Sequence, residues 1–342
     1  MKFGIQLDLS VPRPFDGESE RRTFDHALEH AVEAERQGFD FCWASEHHFL
    51  EGHAHAPAPD IVLSAIAGRT SRLRLGMSAL AHPVNHPAIT AARATSLDIV
   101  SRGRAELAIA RPVTWAELSG FGGDSEADVW DETVRSLARL WTGERASLDE
   151  THFKLDERAV LPRPYQTPHL PLWAVACDAQ SEREAGALGV GLVTEAMADR
   201  REQAQRIAAY KNKVAGSEGV ASFVNDQVAI TDLVYCHEGD AQGIEAGARL
   251  LRAAQDLAAE HVSAQELGLR GAPARPSGLA IGDPRAIIET LRNWESMGVD
   301  QVVFSLNAGD AITQAEALSS LRLLASEVMP VFDRQRTRAA AE

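Results

Sequence analysis

A histidine pair next to a carboxylate is the feature of this sequence best suited to chemistry. Glu46, His47 and His48 come one residue after a short, mostly apolar run at 39–44 that is predicted to be a β-strand. Adjacent residues at a strand end point to opposite sides, so only one of the two histidines can face a common pocket. An imidazole titrates near neutral pH and can accept or release a proton there. The pair therefore indicates acid–base chemistry, with a packing or ion-pairing role as the alternative.

A metal site is another interpretation of these histidines. A zinc site needs at least three protein ligands, and His53, His55 and His82 would be available as additional imidazoles. No recognised metal-binding spacing ties them to His47 or His48, so we expect no metal.

Further polar residues follow other predicted strands: Ser78, Arg111, Cys177, Asp178 and Ser181. The Arg111 guanidinium suits a bidentate grip on a phosphate, although an isolated arginine serves equally well in an ion pair. The helix predicted to begin after Asp178 would present backbone N–H groups to an anion. Cys177 has no adjacent base, so we expect no nucleophilic role for its thiol.

The elements that must position these residues alternate regularly along the chain. Short β-type runs alternate with stretches of helical periodicity, which indicates a parallel sheet with right-handed crossovers. Eight strands favour a (β/α)₈ TIM barrel with insertions, in which the site lies at the carboxyl ends of the strands. An open doubly wound sheet is the alternative, but no GxGxxG turn follows the first strand. The predicted strands are 3–9, 39–44, 73–80, 105–110, 172–176, 191–195, 227–236 and 302–306.

We interpret the whole chain, 1–342, as one barrel domain, because barrels of this size are common as single units. Residues 143–171 interrupt the alternation with four prolines and are predicted to form a hairpin insertion. Residues 263–280 are rich in glycine and proline and are predicted to form a long loop. The Ala/Arg-rich tail at 334–342 is expected to fray.

Composition restricts the environment and the partners. The 34 basic and 49 acidic residues give a net charge of −15, which disfavours nucleic acid and anionic membranes as partners. Three widely spaced cysteines cannot form a disulfide framework and suggest a reducing compartment. The N-terminus has the pattern of a strand rather than of a signal peptide, and no run reaches the roughly 18 apolar residues of a membrane helix. We therefore expect a cytoplasmic protein.

Several short motifs, in order along nearly the whole chain, resemble one known family. With these motifs the sequence resembles the bacterial luciferase-like, flavin-dependent monooxygenases. The motifs are Lys2-Phe3-Gly4, Phe39-Asp40 with Trp43 and Glu46-His47-His48-Phe49, Leu75-Gly76-Met77-Ser78-Ala79 with His86-Pro87, Ser101-Arg102-Gly103-Arg104 with Arg111 and Phe121-Gly122, Gly282-Asp283-Pro284, and Glu327-Val328-Met329-Pro330.

The resemblance implies a reaction. Reduced FMN would arrive from a separate flavin reductase and react with O₂ to a C4a-peroxyflavin. It would then oxygenate a small organic substrate such as an aldehyde, a ketone or an aromatic polyketide. His47 would be the catalytic acid–base group, with Glu46 orienting it or serving as a structural ion pair. The same resemblance implies flavin contacts from Ser78 and Ala79, joined by a non-proline cis peptide bond, and from Arg111, Cys177, Asp178 and Ser181.

Two positions depart from the family pattern. Asp178 stands where the family has a hydroxyl residue, and a second arginine expected within Ser125–Val129 is missing. A carboxylate at Asp178 would cap its own helix and repel a phosphate, so we predict weak FMN binding.

Two other functions remain open. One is an oxidoreductase of the same barrel family that uses the deazaflavin F420, and the other is a non-catalytic partner subunit of a heterodimeric luciferase-like enzyme. The resemblance also implies a homodimer, or a heterodimer with a paralogous subunit, formed through the second and third helices.

Overall fold

A closed barrel of eight parallel strands forms the centre of the molecule. The computed structural model describes residues 1–11, 13–51, 54–82, 85–112, 115–121, 128–260 and 277–332. The barrel strands are β1 (Lys2–Leu7), β2 (Phe41–Ser45), β3 (Arg74–Leu80), β4 (Ala105–Ala110), β7 (Leu172–Val175), β8 (Gly191–Glu195), β9 (Val228–Cys236) and β11 (Gln301–Ser305). The sheet closes because β9 pairs with both β8 and β11. The predicted (β/α)₈ barrel is therefore confirmed, and the open doubly wound alternative is wrong.

The strands form where short apolar runs can be buried on both faces, as parallel sheets require. In β4 all six residues of the run AELAIA are buried. Outward-facing side chains pack under the surrounding helices in one continuous core, while a smaller cluster fills the barrel interior.

Helices surround the barrel, and their starts are encoded locally. Side chains of Asp178, Asp199, Asp283 and Thr313 accept N–H groups of the helices that follow them. The helices are α1 (Ser19–Gln37), α2 (Pro59–Ala67), α3 (Pro87–Ser101), α4 (Trp115–Gly120), α5 (Trp130–Thr142), α6 (Ala179–Leu188), α7 (Arg200–Val214), α8 (Ala241–Glu260), α9 (Pro284–Ser296) and α10 (Gln314–Leu323). Helical turns continue from α10 to Phe332. Within the described ranges, no helix is long and apolar enough to cross a membrane.

Of the three segments predicted to lie outside the barrel, the structure describes the first completely and the second in part. Residues 143–171 contain β5 (Ala146–Asp149) and β6 (Lys154–Arg158), which pair antiparallel, and β5 packs against α5. Of the predicted loop at 263–280, residues 263–276 lie outside the described residues, and its last residue begins β10 (Ala280–Gly282), which pairs with β9. The predicted tail at 334–342 also lies outside the described residues.

Two tryptophan–glycine pairs fill the barrel below its carboxyl end. Trp43 in β2 lies opposite Gly76 in β3, and Trp173 in β7 lies opposite Gly191 in β8. A Cβ on Gly76 would lie 2.1 Å from atoms of the Trp43 ring, and a Cβ on Gly191 would lie 2.4 Å from the Trp173 ring. The two indoles meet edge to face with centroids 5.9 Å apart. Each indole can occupy the interior only because its neighbour across the strand has no side chain.

We expect Gly76→Ala to lower the free energy of unfolding by about 1–3 kcal/mol, because the added methyl group must displace a buried indole. Urea denaturation of the purified proteins measures this change. Gly17→Ala is the control, since a Cβ there would contact nothing within 4 Å. A loss of stability no larger in Gly76→Ala than in Gly17→Ala would contradict the packing described.

Candidate active site

A cavity of about 280 Å³ opens at the carboxyl ends of the barrel strands. This volume is close to the lower end of the roughly 300–1,000 Å³ that is common for small-molecule sites. Apolar side chains form much of its wall, and Trp43 contributes to its floor. Of the residues predicted from the sequence, Glu46, His47, Ser78, Arg111 and Cys177 line this cavity. Ala79, Asp178 and Ser181 are not among its lining residues.

His47 is held by a carboxylate that the sequence did not reveal. Its Nδ1 lies 2.9 Å from Oε1 of Glu117, a buried residue on α4. Burial alone would lower the pKa of His47, but the hydrogen bond to Glu117 and the negative charges of Glu117, Asp8 and Glu46 raise it above the ordinary value. Because Nδ1–H donates to Glu117, Nε2 is the ring nitrogen that gains and loses the proton. The cavity therefore contains a charged or readily charged imidazole in a fixed orientation.

Glu46 belongs to a buried polar network beside the cavity. Its carboxylate accepts the backbone N–H of Leu80 at 3.2 Å and lies 3.0 Å from Nε2 of His48 and 3.5 Å from Nη1 of Arg93. These contacts join the ends of β2 and β3 to α3. They correspond to the structural ion pair considered from the sequence, while Glu117 makes the hydrogen bond to His47.

Two further carboxylates line the cavity without an arginine or lysine partner among the described residues. Asp8 accepts a short hydrogen bond from the hydroxyl of Ser305. Asp232 accepts hydrogen bonds from the hydroxyl of Ser277 at 3.0 Å and from the backbone N–H of Ala280 at 3.0 Å. Burial raises the pKa of each carboxyl group to about 6, against the opposing effect of these hydrogen bonds. Both groups can therefore change charge near neutral pH.

The peptide bond between Ser78 and Ala79 is trans, so the predicted cis bond is wrong. The cis bonds of the described residues all precede proline. Strand β3 continues through both residues to Leu80 in unbroken register with β4, and this regular ladder uses trans peptides. Alternation along the strand leaves Ser78 on the cavity wall and Ala79 in the core behind it.

Arg111 lies at the end of β4, where its guanidinium is engaged by two carboxylates. Its Nε and Nη2 each lie 3.1 Å from an oxygen of Asp128, and Nη2 lies 3.1 Å from Oε2 of Glu184. Nη1 lies 3.3 Å from the hydroxyl of Ser181, and the guanidinium stacks over Trp130 at 4.7 Å. Asp128 lies within Ser125–Val129, the stretch in which the resemblance implies a second arginine, and it supplies a carboxylate to Arg111.

Asp178 caps the start of α6. Its Oδ1 accepts the backbone N–H groups of Gln180 and Ser181, each at 2.9 Å, and its Oδ2 accepts the Ser181 hydroxyl at 2.5 Å. The helix start that was predicted to bind an anion is thus satisfied by the chain's own carboxylate.

The thiol of Cys177 lines the cavity but is a poor nucleophile. Burial, together with nearby carboxylates such as Glu195 and Glu182, raises its pKa well above the ordinary value. The thiol therefore stays protonated at neutral pH. In the part of the chain that is described, no three His, Cys, Asp or Glu residues form a group that could hold a metal ion.

Sequence reasoning missed Glu117, Asp128 and Glu184. Only Glu184 carried a local signal, because it lies one helical turn after Ser181 and therefore on the same face of α6.

Comparisons with known proteins agree with the fold. The oxygenase component of the flavin-dependent trigonelline monooxygenase of Acinetobacter baylyi is 24% identical over 364 aligned residues, which cover 98% of this chain and 97% of that protein. Two solved structures are similar throughout. A monooxygenase of Streptomyces bottropensis has a TM-score of 0.81 at 23% identity, with coverage of 97% of this chain and 100% of that chain.

The second structure is the oxygenating constituent of the 3,6-diketocamphane monooxygenase of Pseudomonas putida in complex with FMN. It has a TM-score of 0.74 at 20% identity, with coverage of 96% of this chain and 98% of that chain. The sequence profile described as luciferase-like monooxygenase matches residues 1–301. The resemblance noted from the short motifs is confirmed by this match, and the chain belongs to the luciferase-like monooxygenase family.

Proposed function

We propose that this chain is the oxygenase component of a two-component monooxygenase. It would take reduced flavin, expected as FMN, from a separate flavin reductase and use O₂ to oxygenate a small organic substrate. The observation that carries this proposal is the His47–Glu117 pair in the wall of a largely apolar cavity at the carboxyl end of the barrel. The end-to-end alignment with an oxygenase component supports the two-component arrangement.

The cavity suits the ring part of a flavin better than its phosphate end. Apolar wall residues such as Leu80, Val175 and Val193 can pack against a flat ring, whereas the polar ends of the strands offer hydrogen bonds at its edge. Reduced flavin, when bound, supplies the electrons that activate O₂. At the phosphate end, the donors around Arg111 already bind carboxylates of the chain, so that end does not fit.

The residues of the chain would then perform three tasks. The apolar wall holds the organic substrate and excludes water. Glu117 fixes the imidazole of His47, so that a proton is held or released at Nε2. Asp8 lies close enough to affect the charge of His47, and its carboxyl group, with a pKa of about 6, can take part in proton exchange. We expect the substrate to be an aldehyde, a ketone or an aromatic compound.

Two alternatives make different predictions. An F420-dependent oxidoreductase would transfer a hydride and incorporate no oxygen, whereas a non-catalytic partner subunit would not turn over substrate at all. The paired His47 and its cavity favour a catalytic subunit. Anaerobic binding of reduced FMN and of reduced F420, followed by mass spectrometry of substrates exposed to O₂, distinguishes the three functions. Incorporation of one oxygen atom with reduced FMN is the result expected here.

We also propose that the chain dimerises through α2 and α3. Both helices begin with a proline, and in each the third residue is an exposed isoleucine, Ile61 at 67% and Ile89 at 60% exposure. Ile99 and Val100, near the end of α3, are also exposed. Exposed large apolar side chains on two neighbouring helices are typical of a protein–protein contact.

The carboxylate of Glu117 raises the pKa of His47. We expect Glu117→Gln to lower the pKa of His47, because the variant loses the carboxylate that most strongly opposes the effect of burial. In the wild type, the raised pKa means that the pair's contribution to stability is complete below about pH 6.5 and is lost as the pH rises through the folded-state value. Histidine NMR titrations measure the change. Glu132→Gln, next to the exposed His152, is the control, and an unchanged pKa of His47 in Glu117→Gln would contradict the assignment.

Turnover of the organic substrate should depend on the imidazole of His47. We expect His47→Ala to fold normally but to slow oxygenation by about 10²-fold, as is typical for loss of an acid–base group. Product gaining one oxygen atom is measured by mass spectrometry over a panel of aldehydes, ketones and aromatic compounds. His152→Ala on the hairpin is the control. Full activity of His47→Ala with a substrate that the wild type oxygenates would assign His47 to packing instead.

Dimer formation should depend on the exposed isoleucines of α2 and α3. We expect Ile61→Glu combined with Ile89→Glu to convert a dimer into a monomer, because the charges would be buried without partners at the interface. Light scattering coupled to size-exclusion chromatography measures the mass. Val331→Glu, an exposed apolar position elsewhere, should leave the dimer intact, and a dimeric double variant would refute this surface.

A further inference from the structure

The start of α6 and the end of β4 together contain a complete set of anion-binding donors. The set comprises the guanidinium of Arg111, the hydroxyl of Ser181 and the first backbone N–H groups of α6. These are the groups that bind a phosphate monoester in proteins. Each of them, however, has a carboxylate of this chain as its partner: Asp128 and Glu184 on the guanidinium, and Asp178 on the hydroxyl and the N–H groups.

We propose that Asp128, Asp178 and Glu184 take the place of the cofactor phosphate, so that this chain binds flavin through its ring and sugar chain and does not distinguish riboflavin from FMN. This inference rests on the proposed function, because it concerns the cofactor of the same cavity. It makes the three carboxylates the residues that determine which flavins the enzyme accepts.

The geometry on Arg111 supports a substitution for phosphate rather than a casual surface contact. Nε and Nη2 face the two oxygens of Asp128 in the paired arrangement that arginine also uses with phosphate. The guanidinium is buried, with a side chain only 8% exposed, and it stacks on Trp130. Asp128 and Glu184 are 40% and 34% exposed, so these ion pairs are partly screened, and the buried position of the guanidinium is what holds it within reach of both carboxylates.

Charge leads to the same conclusion. Asp128 and Glu184 lie on the guanidinium and Asp178 lies on the neighbouring Ser181 hydroxyl, so a dianionic phosphate would meet three carboxylates at the donors it needs. Movement of Asp128 alone would not open the site. Asp178 and Glu184 lie before and within the first turns of α6, and both would remain next to the same donors. A flavin without a phosphate meets no such repulsion.

The wild-type protein provides the first test. Dissociation constants for riboflavin and FMN, oxidised and reduced, are measured by anaerobic titration of flavin fluorescence and by calorimetry. We expect the two flavins to differ by less than about threefold, with little dependence on ionic strength, because no ion pair with the ligand forms. FMN binding tenfold or more tighter than riboflavin would overturn the inference while leaving the proposed function intact. If neither flavin binds, the proposed function fails and this inference fails with it.

Variants of the carboxylates test whether these side chains prevent the binding of phosphate. In Asp128→Asn combined with Asp178→Ser, the serine can still cap α6, and the freed donors should bind phosphate. We expect FMN to bind about tenfold more tightly than in the wild type, as for one new charge-assisted hydrogen bond, with riboflavin unchanged. Asp199→Ser, the same change at the cap of α7, is the matched control and should alter neither constant.

Thermal melting establishes that the variants are folded. Glu184→Gln provides a second route, because its carboxylate is one-third exposed and the change preserves the shape of the side chain. It should also shift the preference towards FMN. Unchanged FMN affinity in folded variants would show that the carboxylates do not block the phosphate, and the inference would be wrong.

Discussion

The structure of the site depends on how the barrel interior is filled below it. Trp43 and Trp173 each lie over a glycine on the next strand, Gly76 and Gly191, in strict register. In a closed eight-stranded barrel the inward-facing side chains converge in layers, so two indoles in one region can be accommodated only where neighbouring strands contribute no side chain. The indoles close the lower barrel, and the shorter side chains above them, such as Ser45 and Ser78, leave the cavity open. Tight packing in one layer thus creates the space in the next.

The residues around this space separate into two electrostatic arrangements with different consequences. At His47 a buried carboxylate raises the pKa of an imidazole that lines the cavity, and the result is a group able to exchange protons. At Arg111 carboxylates surround a guanidinium whose charge cannot be lost, and the result is a fixed ion-pair cluster. A carboxylate partner therefore leaves the imidazole of His47 able to exchange protons, whereas carboxylate partners hold the guanidinium of Arg111 in fixed ion pairs.

The sequence was sufficient to predict the barrel because the relevant signal is local. Strands buried on both faces appear as apolar runs, and their number and alternation with helices determine the topology. The same reasoning placed His47 and Arg111 at one end of the barrel, because the carboxyl ends of parallel strands meet there. The prolines of 143–171 indicate an insertion, and within it β5 and β6 pair as a hairpin. Each of these inferences needed only neighbouring residues and the rules of chain connection.

The partners of these residues could not be predicted in the same way. Glu117 is 70 positions from His47, and Glu184 is 73 positions from Arg111, so no periodicity relates them. The peptide between Ser78 and Ala79 was predicted from resemblance to be cis, but strand pairing with β4 continues past it. The pattern of neighbouring residues in the sequence identifies which side chains lie at the site. Contacts with residues far away in the sequence determine the charge of these side chains and whether they are already hydrogen-bonded.

Family membership therefore indicates the fold of this chain, whereas the charges at its site depend on individual side chains. The barrel follows the family, since it depends on packing that many sequences satisfy. The N–H groups at the start of α6 could bind an anion, yet Asp178 stands where the resemblance implies a hydroxyl, and Asp128 lies within the stretch where it implies a second arginine. A change of two side chains can thus reverse the charge of a subsite without disturbing the helix that carries it, because Asp178 caps α6 as a hydroxyl would. The charge around Arg111 can consequently change while the barrel and the His47–Glu117 pair stay in place.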